Sequence, residues 1–131
     1  MLTAGEIMTD VLTTVRPQDS IEDAIQLLLD HEISGMPVAD DRGYLVGVIT
    51  EFALLGVVYD NQIKNQTVEQ HMTRELITVD ISDPVSRIAD LCIVHRVRRV
   101  PVMKSGKLVG VIARRDVLRA LHEAQSTACA K

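Results

Sequence analysis

The stretch GYLVGVI at residues 43–49 recurs as GKLVGVI at residues 106–112, and this repetition decides the fold. The offset between these two stretches is 63 residues. Before them the offset is 64, and the matches continue in order: Met8-Thr9 with Met72-Thr73, His31 with His95, and Pro37-Val38 with Pro101-Val102. A repeat of this length is typical of one supersecondary unit present twice.

Each copy predicts the same order of elements: helix, strand, helix, strand, strand, helix. Capping-box patterns at Thr3 and Thr67 open a short first helix. The first strand is expected at residues 12–15 and again at 76–79. An amphipathic helix follows, and we expect Asp19 and Asp83 to be its N-caps. A hairpin and a closing helix complete each copy.

The repeat divides the chain into residues 1–63 and residues 64–131. One copy of about 60 residues buries too little surface to be comfortably stable alone. The two copies are therefore expected to pack with pseudo-two-fold symmetry into one α+β module. Such packing would form two clefts between the copies, one for each repeat.

The composition excludes several classes of protein. Aromatic residues make up only 2% of the chain and Trp is absent, which argues against a nucleic-acid platform that stacks bases. No apolar run approaches the roughly 20 residues of a membrane span, and no signal peptide is evident. The two cysteines, Cys92 and Cys129, have no metal-ligand or redox spacing. A cytoplasmic location and no metal site are expected.

The two halves carry opposite charge. Residues 1–64 contain three Lys/Arg and eleven Asp/Glu, whereas residues 65–131 contain eleven Lys/Arg and seven Asp/Glu. This asymmetry indicates an anion site in the second half, a charge-matched partner, or ordinary solvated surface.

These motifs, in this order and twice over, resemble a tandem pair of CBS domains, the module named after cystathionine β-synthase. The resemblance extends from about Thr3 to Leu121. It implies two βαββα repeats, frequent assembly into homodimers, and regulation of an effector protein that the sequence does not identify. It also implies reversible binding of an adenosyl ligand (AMP, ADP, ATP or S-adenosylmethionine), with no cofactor required.

The ligand motif of this family is Gly-x-x-Thr-x-x-Asp, and each copy keeps only part of it. The first copy retains Thr50 but has Ala53 where the family has Asp. The second copy retains Asp116 but has Ala113 where the family has Thr. By resemblance, the hydroxyl binds phosphate and the carboxylate accepts hydrogen bonds from a ribose diol, which suits an acceptor-only group.

The second-repeat site is predicted to be the better one, with one good site per chain. Asp116 is assigned to the ribose, and planar guanidinium groups suit phosphate oxygens. The predicted ligand-binding residues are Asp116, Arg98, Arg99, Arg114, Arg115, Ile77, Thr78, Val100 and Pro101, together with Thr50 of the first copy. The apolar members and Thr78 are assigned to adenine by the resemblance.

Several alternatives stay open at this point. Arg96, Arg98 and Arg99 could be a solvated strand edge or could pair with the acidic first half. Asp116 could stabilise a helix N-terminus, and Thr50 could be only an N-cap. The whole chain could be a dimerisation or protein-interaction module with degenerate clefts. An enzyme is not expected, because the sequence has no Ser/His/Asp set and no P-loop.

Overall fold

The computed structural model describes the backbone of residues 2–129 and the side chains of residues 2–125. Its helices are α1 (Ala4–Ile7), α2 (Ile21–Asp30), α3 (Glu51–Tyr59), α4 (Val85–His95) and α5 (Arg114–Cys129). Its strands are β1 (Gly35–Ala39), β2 (Leu45–Thr50), β3 (Val79–Asp80), β4 (Arg99–Lys104) and β5 (Lys107–Ala113), and a 3-10 turn spans Val68–Gln70. These elements confirm the predicted α+β class.

The chain forms two compact units that differ from the sequence repeats. The N-unit is Thr13–Leu76, and the C-unit combines residues 2–12 with residues 77–129. The opening segment of each repeat therefore belongs to the unit that the other repeat builds.

The Met-Thr pairs explain this exchange of opening segments. Thr9 pairs with Val111 of β5, with N–H···O distances of 2.9 and 3.0 Å in the two directions. Thr73 pairs in the same way with Val48 of β2. Each opening segment thus satisfies backbone N–H and C=O groups of the second strand of a hairpin.

Each unit contains an antiparallel hairpin. In the N-unit, β1 pairs with β2, with Gly35 opposite Thr50. In the C-unit, β4 pairs with β5, with Arg99 opposite Ala113, and β3 pairs in parallel with β4. The predicted first strand is shorter than expected. It is two residues long in the C-unit, and in the N-unit it is a single parallel bridge from Val15 to Val38.

Each unit also has its own aliphatic core. In the N-unit, Ile21, Val38 and Ile49 are completely buried. Ile88 and Ile112 are completely buried in the C-unit. No buried polar or charged residue occurs among the residues whose side chains are described. The units are thus held by apolar packing and by backbone hydrogen bonds. No helix in the described part of the chain is long and apolar enough to cross a membrane.

The predicted N-caps at Asp19 and Asp83 are wrong by one residue. The cap positions are Ser20 and Pro84, and Ser20 Oγ accepts a hydrogen bond from the Asp23 N–H at 3.1 Å. Asp19 and Asp83 instead accept hydrogen bonds from backbone N–H groups three residues earlier, each at 2.8 Å. Short acidic side chains compete well for such local bonds, so they close the loop before the helix.

Candidate functional site

One end of the C-unit sheet brings most of the predicted site residues together. Arg99 begins β4 directly opposite Ala113, the last residue of β5. The N–H of Arg114, at the start of α5, donates to the carbonyl oxygen of Arg98 at 2.9 Å. The backbone therefore holds the arginines at positions 98, 99, 114 and 115 in one cluster at this end.

Ile77 and Thr78 approach the same end from the third strand. They immediately precede β3, which runs parallel to β4 with Val79 opposite Val102. Both residues are partly buried. Because the pairing is parallel, the segment before Val79 leads to the end of the sheet where β4 begins.

Val100 and Pro101 contribute to this site differently from the other residues. Val100 is 0% exposed and belongs to the C-unit core, and Pro101 is also buried. Their packing fixes the start of β4, the strand that Arg99 begins, and their assignment to adenine stays a prediction. Ile77 and Thr78 are the residues of the predicted adenine set that retain accessible surface.

Asp116 occupies the first turn of α5, and its carboxylate accepts two hydrogen bonds from the protein. One carboxylate oxygen accepts a hydrogen bond from the Ala113 N–H at 3.2 Å. The other accepts from Arg119 Nη1, also at 3.2 Å. A carboxylate has about four acceptor positions, so two remain for a ligand diol. The helix-stabilising role and the ligand role are therefore compatible.

The four clustered arginines have exposed side chains. Within the described part of the chain, no carboxylate lies within ion-pair distance of Arg98, Arg99, Arg114 or Arg115. These four guanidinium groups lie where one end of the sheet meets the N-terminus of α5. Together they form an environment that attracts anions.

Thr50 lies in the other unit, at the equivalent helix start. Its Oγ accepts a hydrogen bond from the Ala53 N–H at 3.2 Å, so it is the N-cap of α3. Thr50 belongs to the N-unit, whereas the four arginines belong to the C-unit. In its own unit, the hydrogen bond from Glu51 N–H to the Ser34 carbonyl, at 2.9 Å, matches the bond between Arg114 and Arg98.

This equivalence shows how differently the two sheet ends are charged. The positions equivalent to the four arginines are Ser34, Gly35, Glu51 and Phe52, which include one negative charge and no positive one. Phe52 is 86% exposed. The two units therefore share a backbone frame at this point but offer opposite electrostatics to a ligand.

Sequence reasoning missed two neighbours of the site. Arg119 forms an ion pair with Asp116 at 3.2 Å, and their i, i+3 spacing on a helix could have indicated it. Cys92 lies on α4 close enough to Arg114 for the guanidinium to lower the pKa of the thiol. Burial has the larger effect and raises that pKa, as expected for a thiol packed against the core.

Comparison with known proteins identifies the family. The CBS domain family model matches residues 4–60 and again residues 68–123. The chain belongs to the CBS domain family.

Solved structures of CBS pairs closely resemble this one. CBSX2 of Arabidopsis thaliana, crystallised in complex with AMP, is 31% identical, with a TM-score of 0.85 over 95% of this chain and 99% of that one. The CBS domain pair of MJ0100, in complex with 5′-methylthioadenosine and S-adenosyl-L-methionine, is 27% identical, with a TM-score of 0.80. That match covers 95% of this chain and 98% of the other.

The CBS pair also forms part of longer proteins. Over 88% of its length, this chain is 28% identical to the uncharacterized protein MJ1225 of Methanocaldococcus jannaschii and spans 41% of that protein. It is 29% identical to the inosine-5′-monophosphate dehydrogenase of the same organism, of which it spans 23%. Similarity to a CBS segment therefore does not transfer the activity of the larger protein.

Proposed function

We propose that this chain is a regulatory, non-enzymatic CBS pair that binds one adenosyl ligand per chain at the C-unit site. The observation that carries the proposal is a cluster of four arginines beside Asp116, at positions 98, 99, 114 and 115, that form no ion pair with a described carboxylate. Binding of AMP by CBSX2, and of S-adenosylmethionine by the MJ0100 pair, supports the ligand class. The proposal requires no cofactor and places the protein in the cytoplasm.

The charges favour a phosphorylated ligand. AMP, ADP and ATP bring negative oxygens to the guanidinium groups, whereas S-adenosylmethionine brings a positive sulfonium, which four arginines repel. In the proposed pose, Asp116 accepts from the ribose, the arginines bind phosphate, and Ile77 and Thr78 contact adenine. The N-unit equivalent, with Glu51 and no cation, is proposed to bind weakly or not at all.

Ligand-dependent thermal stability tests this function. At a ligand concentration of 100 times Kd, binding to the folded state adds about 2.7 kcal/mol to the free energy of unfolding. We expect AMP or ATP to raise Tm and S-adenosylmethionine to raise it less. If none of the three compounds raised Tm, the proposal that this chain binds an adenosyl ligand would be contradicted.

Two substitutions locate the site. Asp116→Ala is expected to abolish most of the AMP-dependent shift, and Thr50→Ala is expected to preserve it. Each removes one backbone hydrogen bond at a helix start, and Asp116→Ala also removes the bond from Arg119, so the two are matched for the backbone bond only. The reverse result would assign the ligand to the N-unit.

A second candidate function is protein interaction without a ligand. It is favoured by the hydrogen bonds that already engage Thr50 and Asp116 within their own helices. Under either function we propose a homodimer that acts on a separate effector protein. A stable dimer with no response to any adenosyl compound would support the interaction module.

A further inference from the structure

The carboxylate of Asp116 has a different donor at each of its two oxygens. Asp116 Oδ2 accepts a hydrogen bond from the Ala113 N–H, and Oδ1 accepts one from Arg119 Nη1, each at 3.2 Å. One donor belongs to the backbone just before α5, and the other lies one turn further along that helix. The two bonds together fix the orientation of the carboxylate.

The bond from Arg119 matters because the end of an aspartate side chain turns easily. Its terminal torsion has a broad energy profile, so a single hydrogen bond to one oxygen leaves the carboxylate free to rotate. A ribose diol presents two hydroxyl donors, and it needs two acceptor positions in a fixed arrangement. Arg119 holds Asp116 in one orientation before a ligand arrives, which lowers the entropic cost of binding.

Asp83 of the C-unit belongs to an ion pair of similar exposure but different geometry. Asp83 Oδ2 accepts a hydrogen bond from the Asp80 N–H at 2.8 Å, and Arg87 Nε lies 3.4 Å from the same oxygen. The aspartate and arginine of this pair are 25% and 60% exposed, against 25% and 59% for the pair on α5. The two pairs are therefore matched in exposure, and they differ in whether each carboxylate oxygen has its own donor.

The N-unit lacks both members of the pair on α5. The offset of 63 residues places Ala53 at the position of Asp116 and Gly56 at the position of Arg119. The N-unit helix therefore has neither the carboxylate nor a side chain that could orient one. The pair occurs in the unit that contains the cluster of four arginines, and it is absent from the unit that lacks that cluster.

We infer that Arg119 is a positioning residue that holds Asp116 to accept both ribose hydroxyls and thereby makes the site select a ribose over a deoxyribose. The inference rests on the proposed adenosyl ligand and on the assignment of Asp116 to its ribose. The Arg119 guanidinium also offsets the negative charge of Asp116 near the ligand phosphate. AMP and 2′-deoxy-AMP carry the same phosphate, so this charge effect is equal for both and cancels in the ratio of their affinities.

The ratio of the affinities for AMP and 2′-deoxy-AMP tests this role. Loss of one ribose hydroxyl leaves a charged acceptor without its partner, so the wild-type chain should bind AMP about tenfold or more tightly in isothermal titration. Arg119→Ala should reduce that preference to about threefold or less, mainly by weakening AMP. In an Asp116→Ala background, Arg119→Ala should not change the ratio further, because Arg119 acts through Asp116.

Arg87→Ala is the matched control, since it removes an ion pair of equal exposure and should leave both affinities at their wild-type values. An Arg119→Ala chain that keeps the wild-type preference for AMP would overturn the inference and leave the proposed ligand site intact. Equal binding of the two nucleotides by the wild-type chain would overturn both the inference and the ribose assignment of Asp116. Binding of neither nucleotide would contradict the proposed function itself, and the inference with it.

Discussion

The Asp116 carboxylate accepts a hydrogen bond from the Ala113 N–H, which is the bond made by the acidic residue of a capping box. In the other unit, the Thr50 hydroxyl accepts from the Ala53 N–H, which is the bond made by the N-cap residue. Each unit thus keeps one half of the same reciprocal motif. In this chain, the retained Thr and the retained Asp of the pattern Gly-x-x-Thr-x-x-Asp therefore each make a helix-capping hydrogen bond.

The first prediction concerns Thr50. Thr50→Ala removes the N-cap oxygen of α3 and should lower the free energy of unfolding by about 1 kcal/mol. Thr50→Ser keeps the oxygen and should remain within a few tenths of a kcal/mol of wild type. Urea denaturation followed by circular dichroism measures both. Equal losses in the two variants would show that the hydroxyl does not cap the helix.

The second prediction completes the motif in the other unit. Ala113→Thr supplies the missing N-cap oxygen while Asp116 still accepts the reciprocal bond, so the chain should gain about 0.5 to 1 kcal/mol. Ala113→Val has a similar shape without the hydroxyl and is the matched control. A threonine variant no more stable than the valine variant would contradict the capping role.

The third prediction concerns the close approach of Met8 to Gly110 in the C-unit. A Cβ built on Gly110 overlaps the Met8 side chain at Sδ. Gly110→Ala should therefore destabilise the chain by about 1 to 3 kcal/mol through overpacking. Adding Met8→Ala to that variant should recover part of the loss, a coupling that a double-mutant cycle measures.

Gly56 provides the control for that substitution. It lies within α3, and apart from its chain neighbours and the backbone of its own helix no described atom is within 4 Å of a Cβ built there. Gly56→Ala should stabilise the chain by about 0.5 to 1 kcal/mol, because alanine has the higher helix propensity. If Gly56→Ala and Gly110→Ala lowered the free energy of unfolding by similar amounts, steric overlap with Met8 would not be the cause of the destabilisation at Gly110.

The sequence predicted the repeated elements well because local patterns encode them. The capping boxes at Thr3 and Thr67, both hairpins and the amphipathic helices are all present. The exchange of opening segments was not predictable, since Thr9 and Thr73 bond to strands far along the chain and no local pattern specifies which copy they join. The N-cap error had a local cause, because Asp19 and Ser20 are both good caps and only the folded loop selects between them.

The candidate site, like the fold, was predictable from the sequence only in part. Motif alignment grouped Arg98 and Arg99 with Arg114 and Arg115 in one predicted site. The strand register places Arg99 opposite Ala113, the residue before Arg114. The burial of Val100 depends on tertiary packing of the C-unit core, which motif alignment does not report. The pairing of Arg119 with Asp116 depends on side-chain conformation and was missed for that reason.

The fourth prediction separates phosphate recognition from adenosine recognition. Hydrogen bonds to charged groups contribute about 1.5 to 3 kcal/mol, so Arg99→Ala should weaken AMP binding about 10- to 100-fold. Binding of adenosine should change little. Lys104→Ala, at the far end of the same strand, is the matched control and should leave AMP affinity unchanged. Equal losses for AMP and adenosine would exclude a phosphate contact by Arg99.

The fifth prediction uses Cys92 as a reporter. Burial raises the pKa of its thiol above the ordinary value, while Arg114 acts in the opposite direction. In a Cys129→Ser background, the pH midpoint of alkylation should lie above that of the unfolded chain, and Arg114→Ala should raise it further. Because the folded pKa is raised, the stabilising contribution of this group is complete below the unfolded pKa and declines as pH rises through the folded pKa. A midpoint unmoved by Arg114→Ala would show that the guanidinium does not act on this thiol.

Isothermal titration of the wild-type chain with AMP tests the central claim most directly. One adenosyl site is proposed per chain, at the arginine cluster of the C-unit, so the expected stoichiometry is one AMP per chain, with affinity that falls as salt is raised. Two equal sites per chain, or no binding at all, would contradict the account.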